Sequence, residues 1–285
     1  MAIHLESVEA VRILTSTITE RVQSGIIASI TRREYNRASQ EISNVLIELY
    51  ANIPEKNRVS YGIVHTVKVL SEHLYTQLTR IGAPVCEVAA TLFQQSNDTK
   101  PKCVALGMMS FYGLGSLEDT LGYFEAAGAS ADWEMREIAQ MLFRKLIAKH
   151  PDEVRGFLLG LTVSPDANLR RFVAETLRPV QENKWFYRDP AYPLSILRNL
   201  FDESSPYPRT SVGNNLSDLA RRLPDIIYDL VKELVDSGDD NSYWIAYRAC
   251  RNLVKSEPVR VMNLLRIDEY RYKERMYRRS DYQRD

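Results

Sequence analysis

Between residues 131 and 137 the chain reads ADWEMRE, with Trp133 and Glu137 four residues apart. If the segment is helical from about Asp132, both project from one face. A ring face attracts positive charge and a carboxylate neutralises it, so this pair suits chemistry in which a cationic centre develops. A plainer role is open to the same residues. Asp132 would be an N-cap, Glu134 and Glu137 would favour the first turn, and Trp133 would pack on the preceding repeat. Two more carboxylates stand beside arginines. Glu175 lies four residues after Arg171, the spacing of a helix-face ion pair. Asp218, four after Asn214 and three before Arg221, is placed either to position a water or to hold Arg222. Trp185 and Tyr187 belong to an aromatic stretch in a Pro-flanked loop, an unusual place for large rings unless they pack or touch a partner. Trp244 and Tyr247, near Arg248, suit an aromatic–basic contact or core packing.

Helices must position these groups. Residues 37–51, 59–79 and 134–149 carry apolar residues at three- and four-residue spacing, and strand-like alternation is scarce. Pro151, Pro190, Pro224 and Pro258 recur 39, 34 and 34 residues apart, and all but Pro190 directly precede an apolar helical pattern. Polar turns at 164–168, 202–208 and 236–241 are each followed by a second helix. A helix, a turn, a helix and a Pro-marked restart predict an all-α, HEAT-like helical-repeat solenoid, an α-α superhelix forming a single domain. Residues 1–102 read as irregular N-terminal helices, with 1–50 as a cap. Helix pairs occupy 103–265. A breaker cluster is expected at 94–102, and a break at Gly113 and Gly115. Residues 266–285, with seven Lys/Arg, five Asp/Glu and four Tyr, read as a capping helix with a frayed end, or as an arm using Arg278 and Arg279.

The 37 Lys and Arg balance 37 Asp and Glu in 285 residues. That balance excludes a uniformly basic coat, yet leaves room for one basic face. Nine Lys/Arg face six Asp/Glu across residues 170–222. The predicted second helices carry Arg170 and Arg171, then Arg209, Arg221 and Arg222, then Arg248 and Arg251. Either these are ordinary solvated faces or they form a strip suited to a phosphate backbone. Cys86, Cys103 and Cys250 lack any paired spacing, so neither a disulfide framework nor a zinc site is expected, and three buried reduced thiols are. No signal peptide or run of 18 apolar residues is present, which predicts a soluble protein of a reducing compartment.

The stretches NLRRFVAETLRP at 168–179 and FDESSPYPRTSVGNNLSD at 201–218 resemble the AlkC branch of the DNA alkylation repair glycosylases, relatives of the AlkD branch. The resemblance spans about 130–258. It departs at Thr210, where the family usually has a second arginine, and at Arg136, which falls where an AlkD-type aspartate is expected. The resemblance implies HEAT-like repeats, duplex DNA as partner, and hydrolysis of the N-glycosidic bond of alkylated, cationic bases. It also implies a cytoplasmic, bacterial-type monomer with no metal, organic cofactor or membrane. Carried onto this chain, it makes Trp133, Glu137, Glu175 and Asp218 the candidates for catalysis. Arg170, Arg171, Arg209, Arg222, Arg248, Trp185 and Tyr187 become the candidates for DNA contact. The alternatives are a DNA-structure or damage binding protein without chemistry, and a HEAT-repeat protein–protein scaffold.

Overall fold

A short turn of the form Ser-x-Asp starts one helix after another. The computed structural model describes residues 13–111 and 117–282. The expected break at Gly113 and Gly115 lies outside the described residues, as does the start of the predicted 1–50 cap. The chain divides into two compact units, residues 1–145 and 146–285, the division falling within a helix.

In the first unit, α1 (Ser16–Arg21) passes through a π-helical turn (Val22–Ile27) into α2 (Ala28–Thr31). There follow α3 (Tyr35–Ala51), α4 (Glu55–Arg80), α5 (Val85–Gln95), α6 (Thr99–Met109), α7 (Leu117–Gly128) and the start of α8 (Trp133–Lys149). Leu49, Leu70, Leu74, Leu92, Leu106, Phe124 and Phe143 are fully buried and supply the core. The apolar periodicity of 37–51, 59–79 and 134–149 thus marks α3, α4 and α8. The breaker cluster is shorter than expected. Only Ser96, Asn97 and Asp98 separate α5 from α6, because Asp98 caps α6 through the Lys100 N–H. The boundary drawn after residue 102 consequently falls inside α6.

The second unit contains α9 (Pro151–Thr162), α10 (Ala167–Thr176), α11 (Ala191–Leu197), α12 (Pro206–Leu219), α13 (Pro224–Asp236), α14 (Asp240–Ala249) and α15 (Pro258–Leu265). Pro151, Pro224 and Pro258 open their helices at N1, where a missing N–H costs nothing. Pro190 is instead the residue before α11. Helix α10 packs on α12 and α12 on α14, so the second helices stack side by side. Gly213 permits a close approach between α12 and α14. A Cβ there would meet the Arg248 side chain at 2.8 Å.

Asp98, Asp132, Asp166, Ser205 and Asp239 precede α6, α8, α10, α12 and α14 at intervals of 34, 34, 39 and 34 residues. Four of the five accept a backbone N–H two or three residues on, as with Asp132 from Glu134 at 2.9 Å and Asp166 from Asn168 at 2.8 Å. Two residues earlier, Ser130, Ser164, Glu203 and Ser237 accept the N–H of the capping residue itself. These two successive bonds satisfy donors that a helix start leaves orphaned. The fold is therefore all-α with a helical-repeat architecture.

The C-terminus corrects one expectation. Instead of a capping helix, β1 (Glu269–Tyr272) pairs antiparallel with β2 (Arg275–Arg278). Tyrosines explain the change. Tyr270 is 1% exposed, stacks on Tyr247 of α14 at 4.3 Å, and donates its hydroxyl hydrogen bond to the Tyr247 carbonyl at 2.8 Å. The Tyr247 hydroxyl in turn accepts the Arg271 N–H at 2.8 Å. Tyr270 and Tyr277 stand directly opposite each other across the two strands, and both are buried. Cys103 and Cys250 are buried free thiols, whereas Cys86 is half-buried. Among the described residues no helix is long and apolar enough to cross a membrane.

Candidate functional site

In the first unit, the cap at Asp132 fixes the start of α8. Thr99 donates to the Asp132 carboxylate at 2.5 Å, and this bond leads the effects that hold the group below the usual range. Arg136 folds back, donating to the Ser130 and Ala131 carbonyls at 2.6 and 2.9 Å. With the first turn pinned, Trp133 stands 64% exposed rather than packed on the preceding helices. Leu46, Ile47 and Tyr50 of α3, Lys100 of α6, and Trp133, Glu134, Glu137 and Met141 of α8 line a cavity of about 570 Å³. Its walls are mainly apolar and its polar groups few, the usual make-up of a small-molecule or base site. Gln140 donates to Glu137 at 2.5 Å.

In the second unit, the two remaining candidate carboxylates share one arginine. Arg178 donates to Asp218 at 2.5 and 3.1 Å and to Glu175 at 3.3 Å. Glu175, 6% exposed, also accepts from the Ser211 hydroxyl at 2.7 Å and lies 4.0 Å from Arg171. Asn215 closes the cluster by donating to the Ala174 carbonyl at 2.9 Å. Burial alone would lower the Arg178 pKa, but Asp218 and Glu175 outweigh it and raise it. This is a fastening between α10 and α12. Asp218 also pairs with Arg221 at 3.4 Å and makes no ion pair with Arg222.

The arginines fall into two groups. Arg170 is held bidentate by Glu203 at 2.6 and 3.0 Å and also donates to the Ser164 carbonyl, the same fold-back that Arg136 makes one repeat earlier. Its donors are thereby committed to the turn. The others lie against aromatic rings. Arg171 sits 4.4 Å from the Tyr207 ring, Arg209 4.8 Å and Arg248 5.4 Å from Trp244, and Arg222 4.9 Å from Tyr187. Arg209 also donates to Asn241, and Arg248 to Asn214 at 2.8 Å. A ring holds a guanidinium in place without neutralising it, so charge remains for an anion at Arg209, Arg222 and Arg248, whereas Arg171 also faces Glu175 at 4.0 Å.

Trp185 and Tyr187 sit on a 3-10 helix (Gln181–Tyr187), where a loop is expected. Trp185 packs edge-on against Phe186 at 4.5 Å and near Tyr192 at 5.1 Å, which makes it a packing residue of this unit. Tyr187 carries Arg222. Sequence reasoning passed over Tyr207 and gave Trp244 to either of two roles. The signal for Trp244 was register: Glu137, Arg171, Thr210 and Trp244 all stand five residues after their N-caps.

Among the solved structures that resemble this one are those of AlkC, AlkD2 and a third protein, smu.31. Pseudomonas fluorescens alkylpurine DNA glycosylase AlkC, bound to DNA containing an abasic site analog, matches at 18% identity and TM-score 0.52, over 91% of this chain and 66% of that chain. The chain thus spans just under two thirds of that glycosylase's length. AlkD2 from Streptococcus mutans matches at 16% identity and TM-score 0.52, over 74% of this chain and 98% of its own. The protein smu.31, also from Streptococcus mutans, matches at 18% identity and TM-score 0.50, over 65% and 98%. No protein-family model and no curated protein matches the sequence. What these likenesses establish is the fold, which this chain shares with AlkC and AlkD2.

Proposed function

We propose that this protein binds duplex DNA and hydrolyses the N-glycosidic bond of N-alkylated, cationic bases, acting as a monomer in the bacterial cytoplasm without metal or organic cofactor. The observation that carries this reading is Trp133, 64% exposed beside Glu134 and Glu137 on an apolar cavity. An N-alkylated base is already a cationic leaving group, so its departure needs no acid. Positive charge instead builds on the sugar as the bond between C1′ and the base nitrogen breaks. The Trp133 ring face and the Glu137 carboxylate both stabilise such charge. A water oxygen then bonds to C1′, Glu137 takes up its proton, and the base leaves neutral. Arg209, Arg222 and Arg248 supply backbone contacts, which position a duplex without reading its sequence. Lesion choice then follows bond lability and duplex deformability.

A DNA-binding protein without chemistry is the second reading, favoured by the commitment of Glu175 and Asp218 to Arg178. Base release from N-methylated duplex, run with Trp133→Ala and Glu137→Gln, separates the two. The glycosylase reading expects release by the wild type and loss in both variants. Tight duplex binding with no release supports the second.

A further inference from the structure

The end of α14 gathers cations that ion pairing leaves over. Several arginines of the second unit have carboxylates, as in Arg178–Asp218, Arg198–Glu233 and Arg266–Asp236. Among the described residues Arg248, Arg251, Lys255 and Lys273 form no such pair. Three of them converge on one ring, with Arg251, Lys255 and Lys273 at 5.9, 5.9 and 5.8 Å from the Tyr272 centroid.

The ring is placed by construction. Tyr270 and Tyr247 fasten β1 to α14, and Tyr272 follows two residues later on the same strand face. Lys273 begins the hairpin turn with φ 56°, and it and Lys255 are both exposed. Arg251 is half-buried and anchored by a 3.1 Å hydrogen bond to the Ser217 hydroxyl. Burial, and after it the adjacent Arg251 charge, lower the Arg248 pKa, so Arg248 and Arg251 repel one another. An anion would relieve this repulsion.

We propose that Arg251, Lys255 and Lys273, grouped around Tyr272, form a site for a phosphodiester of the DNA backbone. The proposal rests on the duplex-binding reading above and adds a contact from the C-terminal hairpin. Arg278 and Arg279, the tail residues suggested by sequence, are paired with Glu269 and Asp268 and are not part of it.

The test is anisotropy of a labelled short duplex titrated with the full chain over a salt series. Lys255→Gln with Lys273→Gln removes two exposed charges without touching the core. The slope of log K against log salt should become shallower by up to about 0.9, the contribution of the single phosphate held here, with the full loss reached when Arg251→Gln is added. Arg209→Gln serves as an independent control on a different helix. An unchanged slope in the lysine double variant, while Arg209→Gln weakens binding, overturns the hairpin site and leaves duplex binding standing. Failure of the wild type to bind any duplex at low salt overturns both.

Discussion

Glu137 and Glu175 are both helix acids beside basic neighbours, yet their surroundings give them different parts. Glu175 is buried against Ser211 and Arg178, so Glu175→Gln removes the buried charge that pairs with Arg178 and leaves Arg178 with Asp218 alone. Urea denaturation should show a loss of about 1–3 kcal/mol. Glu137 borders a cavity, and Glu137→Gln should leave the urea midpoint unchanged while slowing base release by about 100-fold or more. The Glu203–Arg170 pair adds a pH signature. Burial raises the Glu203 pKa, but the Arg170 and Ser205 hydrogen bonds outweigh it and bring the group below its ordinary 4.5. A depressed carboxylate stabilises above its unfolded pKa and ceases to do so as pH falls through its folded value. The stability gap between wild type and Glu203→Gln should therefore be full near neutrality and close on acidification below pH 4.5.

At the scale of elements, the Ser-x-Asp cap is the unit that repeats. Asp239 accepts from the Ser242 N–H at 2.7 Å and its hydroxyl at 2.9 Å, and Asp239→Ala should cost about 1 kcal/mol by thermal or urea melting. Prolines made the second-unit repeat legible, because Pro at N1 is a strong local signal. Asp132 reads as an N-cap but not as a member of the repeat with Asp98, because the first helices of those pairs, α5 and α7, lack an N1 proline, although the 34-residue interval is there to be counted. The β-hairpin was hidden for a different reason. Its alternation spans only four residues per strand, and the contact that selects it, Tyr270 on Tyr247, joins residues far apart in sequence. The site was legible by residue type and not by state. Spacing put Trp133 and Glu137 on one face, but whether that Trp is buried depends on helices 80 residues earlier. Likewise, nothing in the sequence distinguished Arg170, spent on Glu203, from Arg209, held against Trp244.

For the whole molecule, a net charge of zero coexists with a second unit in which arginines rest on rings instead of carboxylates. Duplex affinity should accordingly fall steeply with salt and show little sequence preference. Removing Arg209 or Arg222 should lower it about uniformly across duplexes, each reducing the salt slope by roughly 0.9. The central claim is catalytic, and single-turnover release of base from N-methylated duplex, with enzyme in excess, tests it most directly. Wild type should release the methylated base and leave an abasic strand, Glu137→Gln should bind the duplex equally and release it at least about 100-fold more slowly. Undiminished release by Glu137→Gln, or tight binding by the wild type with no release at all, would contradict it.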